Sequence, residues 1–221
     1  MKKLKYIKQF ENFDTNSIDV ICEQYGIENY TINDDGSIDV EGNVDLSDEG
    51  LDELPLKFGK INGDFNCNLN NITSLDGAPY HVELTFDCSE NKLSNLEGCP
   101  KYVGESFYCY LNFLNNLEGS PEYVGFEFNC YNNNLNTILG LVTDIGEEFV
   151  IEGYLKILYD ILKENLDYIP NFYDFHIVDY YENKKRPSIN LKRLNRFIEL
   201  YELKELSEEQ LTELKLYYNI I

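Results

Sequence analysis

The sequence is poor in the residues and patterns that enzymes and metal sites require. Only two histidines occur in 221 residues, and no two cysteines stand in a C-x-x-C spacing, so we expect no zinc site. The chain has no glycine-rich phosphate loop, no G-x-S-x-G sequence and no H-E-x-x-H sequence. We therefore expect no catalytic residue, no bound metal and no cofactor.

Long apolar runs are absent as well. No segment approaches the roughly 20 consecutive apolar residues of a membrane-spanning helix. The first ten residues contain four lysines but none of the apolar stretch that marks a secretory signal peptide. With 43% hydrophobic residues the chain can still bury a sizeable core, so we expect a folded cytoplasmic protein.

Basic residues are scarce in the middle of the chain. Residues 11–150 contain 27 acidic residues and only four lysines, whereas residues 151–221 contain 13 acidic and ten basic residues. Such a negative body repels phosphate groups, which argues against ordinary nucleic-acid binding through this part of the chain. The charge favours a protein partner with a basic surface, and it is equally consistent with a surface that serves only solubility.

What the sequence does contain is a repeat of 21 residues. Four cysteines follow this spacing, each with a phenylalanine two residues before it and an asparagine three residues after it. A fixed period of this length indicates a solenoid, in which copies of one structural unit stack on each other. The columns are Phe65, Phe86, Phe107 and Phe128; Cys67, Cys88, Cys109 and Cys130; and Asn70, Asn91, Asn112 and Asn133.

Further apolar columns keep the same period, one between residues 40 and 145 and one between residues 54 and 138, so the register extends to six coils. The alternation Phe-x-Cys predicts a short strand in each coil, with one parallel sheet of strands centred near residues 45, 66, 87, 108, 129 and 150. The cysteines should point into the core as reduced thiols. The asparagines and the Leu-x-Gly-x-Pro segments predict the bends.

The stretch Phe-x-Cys-x-x-Asn-x-Leu from Phe86 to Leu93, followed by Leu96, resembles the leucine-rich repeat, whose consensus is L-x-x-L-x-L-x-x-N/C-x-L. The period is similar to that of the short bacterial type, with one extra residue in the return leg. The sequence motif Leu-Glu-Gly-x-Pro-x-Tyr-Val-Gly resembles motifs in repeat proteins encoded by large tailed bacteriophages, and residues 1–13 are similar to the N-termini of many small proteins from such phages. The leucine-rich-repeat resemblance implies a repeat fold and almost nothing about which partner is bound.

The fold class that follows is an α/β repeat. Residues 1–32 should form an N-terminal segment and cap with a short helix near Asp14–Tyr25, and residues 33–153 a leucine-rich-repeat-like solenoid with a parallel sheet of about six coils. Residues 154–221 should form a C-terminal α-helical domain or cap, with helices beginning near Tyr154, Ser188 and Ser207.

Alternation also predicts which residues face outwards. If phenylalanine and cysteine point into the core, their neighbours point away from it, and the last coils then place three tyrosines on adjacent strands. Clustered exposed tyrosines beside polar groups are typical of protein-binding hot spots. The outward side of the predicted sheet is the concave face of the solenoid. The predicted partner-binding residues on this face are Tyr108, Tyr110, Tyr131, Glu127, Asp87 and Asn129.

A second candidate surface lies in the C-terminal region, where most bases of the chain cluster. It could contact an anionic partner, or it could simply balance the charge of the solenoid. This secondary basic surface consists of Lys184, Lys185, Arg186, Lys192, Arg193 and Arg196.

Three functions remain open from the sequence. The favoured one is a non-enzymatic module that docks a host protein and inhibits a host nuclease or defence system. The second is a structural or packaged component of a virion. The third is an acidic mimic of nucleic acid, which is weakened because the acids do not recur in one fixed column: Asp87 lies outside the column that Asp64 and Glu127 share.

The solenoid hypothesis makes a prediction about stability. Replacing Phe107 by alanine should lower the free energy of unfolding by about 3–5 kcal/mol, because a buried aromatic side chain is removed and a cavity remains. Urea unfolding of the two proteins measures this difference. A solvent-exposed Phe107, or six segments that do not pair in register, would contradict the solenoid.

Overall fold

The computed structural model describes residues 15–141, 144–151, 154–162, 178–179, 188–203 and 205–221. The chain opens with helix α1, Thr15–Gln24, which buries Ile18 and Cys22. An antiparallel hairpin of β1, Tyr30–Ile32, and β2, Ile38–Val40, follows. The helix and the hairpin stand at the positions predicted for the N-terminal cap.

The predicted parallel sheet is present at the predicted positions. We call it the phenylalanine sheet, and its neighbouring strands pair in register, so that Phe86 lies opposite both Phe65 and Phe107. Its strands are β3 (Val44–Asp45), β5 (Phe65–Asn66), β7 (Phe86–Asp87), β9 (Phe107–Tyr108), β11 (Glu127–Asn129) and β12 (Glu148–Val150). This parallel stacking confirms the solenoid.

A second parallel sheet runs beside the first, and the prediction of a single sheet was incomplete. We call it the valine sheet: β1 and β2 lead into β4 (Phe58–Ile61), β6 (His81–Val82), β8 (Tyr102–Val103) and β10 (Tyr123–Val124). The sequence indicated only a single apolar column here, which lacks the alternating pair of apolar residues that predicts a strand.

The core between the two sheets is built from columns of identical residues. The rings of Phe65, Phe86, Phe107 and Phe128 follow one another with centroid distances of 5.0–5.6 Å. Phe107 has no solvent exposure, which confirms the burial on which its predicted destabilisation depends.

The bend after four of the six strands of the phenylalanine sheet is closed by an asparagine that joins two coils. The Asn112 side-chain amide donates to the carbonyl oxygen of Cys109 in its own coil (3.2 Å) and to that of Cys88 in the preceding coil (3.0 Å). Its Oδ1 accepts the backbone N–H of Leu93, 19 residues earlier, at 2.9 Å. Asn70, Asn91 and Asn133 make the equivalent bonds. One amide therefore satisfies backbone groups that the bend would leave unpaired in the core.

The corner between the two sheets requires very close stacking of backbones. A side chain at Gly125 would overlap the carbonyl oxygen of Gly104, its counterpart one coil earlier, and Gly146 stands in the same relation to Gly125. Glycine is needed at these positions because only a residue without Cβ permits that approach.

The described residues of the C-terminal part form three helices and a small sheet. The helices are α2, Tyr154–Leu162, α3, Leu191–Leu200, and α4, Glu208–Tyr217. Ser207 and Gln210 form the predicted capping box at the start of α4. The sheet has the order β13 (Val178–Asp179), β14 (Ser188–Ile189), β15 (Asn219–Ile220). No helix within the described ranges has the length and apolarity of a membrane span.

The asparagine column leads to a test. Asn112→Ala should lower the free energy of unfolding by about 3 kcal/mol or more, because each buried backbone group that loses its partner costs about 1–3 kcal/mol. The exposed Asn134 offers a matched control, and Asn134→Ala should change stability by no more than about 0.5 kcal/mol. Urea unfolding of both variants provides the comparison, and equal losses would contradict the role of the column.

The thiols provide a second test. All six cysteines are buried and unbridged, and burial raises the pKa of Cys67, Cys88 and Cys109 far above the usual range. Because the thiolate is the reactive form, titration with a thiol reagent near neutral pH should label almost nothing in the native protein and six groups after denaturation. Rapid labelling of the column cysteines in the native protein would overturn their placement in the core.

Candidate functional site

The outward side of the phenylalanine sheet brings most of the predicted binding residues together. Tyr108 lies between Asp87 on one neighbouring strand and Asn129 on the other, as paired residues of the parallel ladder. Adjacent strands are about 4.8 Å apart, so these three side chains are immediate neighbours. We call this side of the sheet the phenylalanine-sheet face.

Two tyrosine rings form a corner on this face. Tyr108 and Tyr110 are both half-buried, with ring centroids 6.2 Å apart and an angle of 62° between the ring planes. The Tyr108 hydroxyl donates to Glu127 Oε2 at 3.3 Å, and Asn129 Nδ2 donates to Glu127 Oε1 at 3.0 Å. The Glu127 carboxylate is thus held beside Tyr108 by one bond to each of its oxygens.

The field around Tyr108 is negative. Contact with the Ser106 hydroxyl lowers the pKa of Tyr108, but partial burial and the carboxylates of Glu127 and Asp87 outweigh it, so the pKa is raised overall. Deprotonation of the phenol is disfavoured there, because it would place a further negative charge beside the two carboxylates. A positive charge near the ring is favoured for the same reason.

Tyr131 is the most exposed of the three predicted tyrosines, with half of its surface accessible. Its backbone N–H donates to Asn129 Oδ1 at 3.1 Å, and its carbonyl oxygen accepts the N–H of Leu111 at 3.0 Å. Its side chain has no hydrogen-bond partner among the described residues. It is therefore available for contact with another molecule.

Sequence reasoning missed two apolar residues beside these tyrosines. Leu111 and Phe113 follow Tyr110 around the bend, and they are 42% and 55% exposed. Together with Tyr131 they extend the aromatic surface beyond the sheet, in the coils that span residues 105–134. Large apolar side chains that cluster on a surface mark interaction sites more often than isolated ones do.

Leu111 has a left-handed backbone conformation that leucine rarely adopts. Residues 48, 69, 90, 111 and 132 share a left-handed conformation with φ of 54–55°. Asp48 and Asn132 suit it, whereas leucine at this φ costs about 1 kcal/mol, and both Leu69 and Leu111 are exposed. No burial compensates for this cost at either leucine. The two leucines of this column could be noticed in the sequence, but their cost depends on knowing the dihedral.

The N-terminal half of the same face is different in character. Asp87 accepts from the Ser89 backbone N–H at 2.9 Å and hydroxyl at 2.5 Å, and from Asn68 Nδ2 at 3.0 Å. Ser89, which alternation placed on the surface, is buried beneath these bonds. Polar groups that bond each other in this way have little need of an outside partner, so the tyrosine-bearing half is the better candidate.

Charge is divided unequally between the two sheets. The outward positions of the phenylalanine sheet carry five carboxylates and no lysine, arginine or histidine. By contrast, the few bases of the valine sheet are already paired with acids: Lys60 with Glu83, His81 with Glu83, Lys101 with Glu122 and Lys57 with Asp35. The remaining lysine of the solenoid, Lys92, lies on the bend one coil before Phe113. The negative charge of the phenylalanine-sheet face is thus uncompensated within the sheet.

The valine sheet also presents aromatic rings, but these rings already stack on one another. His81, Tyr102 and Tyr123 stack on one another with centroid distances of 4.5 and 4.9 Å and nearly parallel planes. The ring faces contact each other, which leaves mainly edges for a ligand. We interpret this column as a stabilising stack.

The secondary basic surface is described only in part. Lys192, Arg193 and Arg196 lie on α3 and are exposed, on the side opposite the buried Leu194 and Phe197. The other three members, Lys184, Lys185 and Arg186, lie outside the described residues. The exposed side of α3 is consistent with an ordinary solvated helix surface.

Within the described residues, no group of three or more histidine, cysteine, aspartate or glutamate side chains is arranged to hold a metal ion. Comparison with protein-family models, with curated proteins and with solved structures finds no match to this chain. A function must therefore be inferred from its own residues.

Proposed function

We propose that the chain is a non-enzymatic protein-binding module that captures a partner with a basic surface on the tyrosine-bearing half of the phenylalanine-sheet face. The observation that carries the proposal is the unequal charge of the two sheets, with paired acids and bases on the valine sheet and uncompensated carboxylates on the other. A surface that served only solubility would not need this division.

Aromatic residues at the centre of that charge favour binding over mimicry of nucleic acid. A mimic presents carboxylates spaced like phosphates, whereas this face places Tyr108, Tyr110 and Tyr131 among its acids. Many protein interfaces contain aromatic residues that become buried on binding and charged residues around them. In such an interface the charge mainly accelerates association. The resemblance to phage repeat proteins extends the proposal to a host protein as the partner, such as a nuclease or a defence factor whose activity is blocked.

The proposal predicts the effect of removing two tyrosines. Tyr108→Ala with Tyr131→Ala should weaken capture of the partner by about 30-fold or more, because an aromatic anchor contributes at least about 2 kcal/mol. The thermal unfolding midpoint should change little, because neither ring is part of the core. The partner is first identified by affinity capture and mass spectrometry, and its dissociation constant is then measured with each variant.

Tyr80 provides the matched control for this experiment. It is 60% exposed and lies on the valine-sheet side, so Tyr80→Ala should leave the dissociation constant unchanged. The association rate of the unmodified protein should fall as salt rises. If capture survives loss of the two tyrosines but fails when Lys184, Lys185, Arg186 and Arg193 are neutralised, the working surface is the C-terminal region and the proposal is wrong.

A further inference from the structure

One pair of carboxylates on the phenylalanine-sheet face is held in an unfavourable arrangement. Glu127 and Glu148 lie directly opposite each other on the neighbouring strands β11 and β12. Like charges in paired positions of a sheet destabilise it. Neither carboxylate has an ion-pair partner among the described residues, so the repulsion is not relieved within this part of the chain.

Glu127 also borders the ring of Tyr108. It is fixed by Tyr108 and Asn129, and each of its two oxygens retains further capacity to accept hydrogen bonds. Tyr108 and Tyr110 meet at 62°, so a flat group lying on one ring would contact the edge of the other. The Glu127 carboxylate and the Tyr108 ring thus lie side by side at the surface, with the Tyr110 ring next to Tyr108.

We infer that this corner is a recognition site for a single arginine side chain of the partner protein. The inference rests on the binding face proposed above. A guanidinium group is planar, stacks on aromatic faces and donates two parallel hydrogen bonds to a carboxylate. It therefore matches the ring of Tyr108 and the carboxylate of Glu127 at the same time, and it lies next to the ring of Tyr110. Its charge also offsets the repulsion between Glu127 and Glu148.

Other cations fit the corner less well. A metal ion would need several oxygen ligands around one point, and the described residues contain no such group. A lysine ammonium group would satisfy the charge, but it has no plane to stack and no fork to match the two oxygens of Glu127. The arrangement thus favours arginine over lysine in the partner.

The inference can be tested with a small probe and the intact chain. The probe is N-acetyl-arginine methylamide, and the readout is the ring signals of ¹³C-labelled tyrosines in NMR titration, assigned with Tyr108→Phe and Tyr110→Phe. The arginine probe should shift the signals of Tyr108 and Tyr110 in a saturable way. The citrulline and lysine counterparts of the probe should bind at least about fivefold more weakly, because citrulline lacks the charge and lysine lacks the plane.

Variants separate a specific site from diffuse attraction. Glu127→Gln should weaken binding of the arginine probe by at least about fivefold, and Glu148→Gln should weaken it by a smaller factor. The reason is that a hydrogen bond to a charged group contributes more free energy than Coulomb attraction without a hydrogen bond. Glu118→Gln removes the same charge from an exposed position on a bend and should have no effect. Unchanged signals of the tyrosines outside this face, such as Tyr80 and Tyr102, in the absence of probe establish that each variant is folded.

Two results would overturn the inference. One is equal binding of the arginine, lysine and citrulline probes, and the other is equal weakening by Glu127→Gln and Glu118→Gln. If the probes fail in this way while loss of Tyr108 and Tyr131 still abolishes partner capture, the binding face stands and only the arginine site is wrong. If capture also persists without the two tyrosines, the proposed function fails as well.

Discussion

The stacking of the coils depends on a column of asparagine amides, one in each of the four central coils. The strands of these coils are followed by a bend that carries backbone groups into the core, where water cannot reach them. The Asn91 amide pairs such groups in its own coil and in the preceding one, joining Cys88 O, Cys67 O and the N–H of Ile72. Because each of these four coils is bonded to its predecessor by the same side chain, their strands are held at one spacing and in one register. The stacked phenylalanines and the aligned outward rows are consequences of that register.

A fixed register turns a linear sequence into a surface with defined rows. Residues 21 positions apart become neighbours about 4.8 Å apart, so a substitution in one coil adds to the pattern of the next. Asp87, Tyr108 and Asn129 are neighbours only for this reason. The repeat thus fixes the scaffold through its invariant columns, while the outward columns are free to carry a binding surface in one half and self-bonded polar groups in the other.

The repeat alone was sufficient to predict the phenylalanine sheet and the inward cysteines, and helix start and stop signals predicted the N-terminal helix. The asparagines were recognised as bend residues, but their bonds to the preceding coil require the stacking distance. The valine sheet was missed because each of its coils repeats a single apolar residue, without the pair of apolar residues two positions apart that marks the phenylalanine sheet. Leu111 was missed because a leucine is unusual there only once its φ is known. The division of charge between the sheets could not be predicted either, since it depends on which lysines lie opposite which acids.

The central claim is that the tyrosine-bearing half of the phenylalanine-sheet face contacts a partner protein and that the valine-sheet side does not. Site-specific photo-cross-linking tests this most directly, with p-benzoylphenylalanine placed at Tyr131 or at Tyr80, which are 50% and 60% exposed. Irradiation of the cells that produce the protein should give one cross-linked protein from position 131 and none from position 80. A cross-link from position 80 alone, or none from position 131, would contradict the claim.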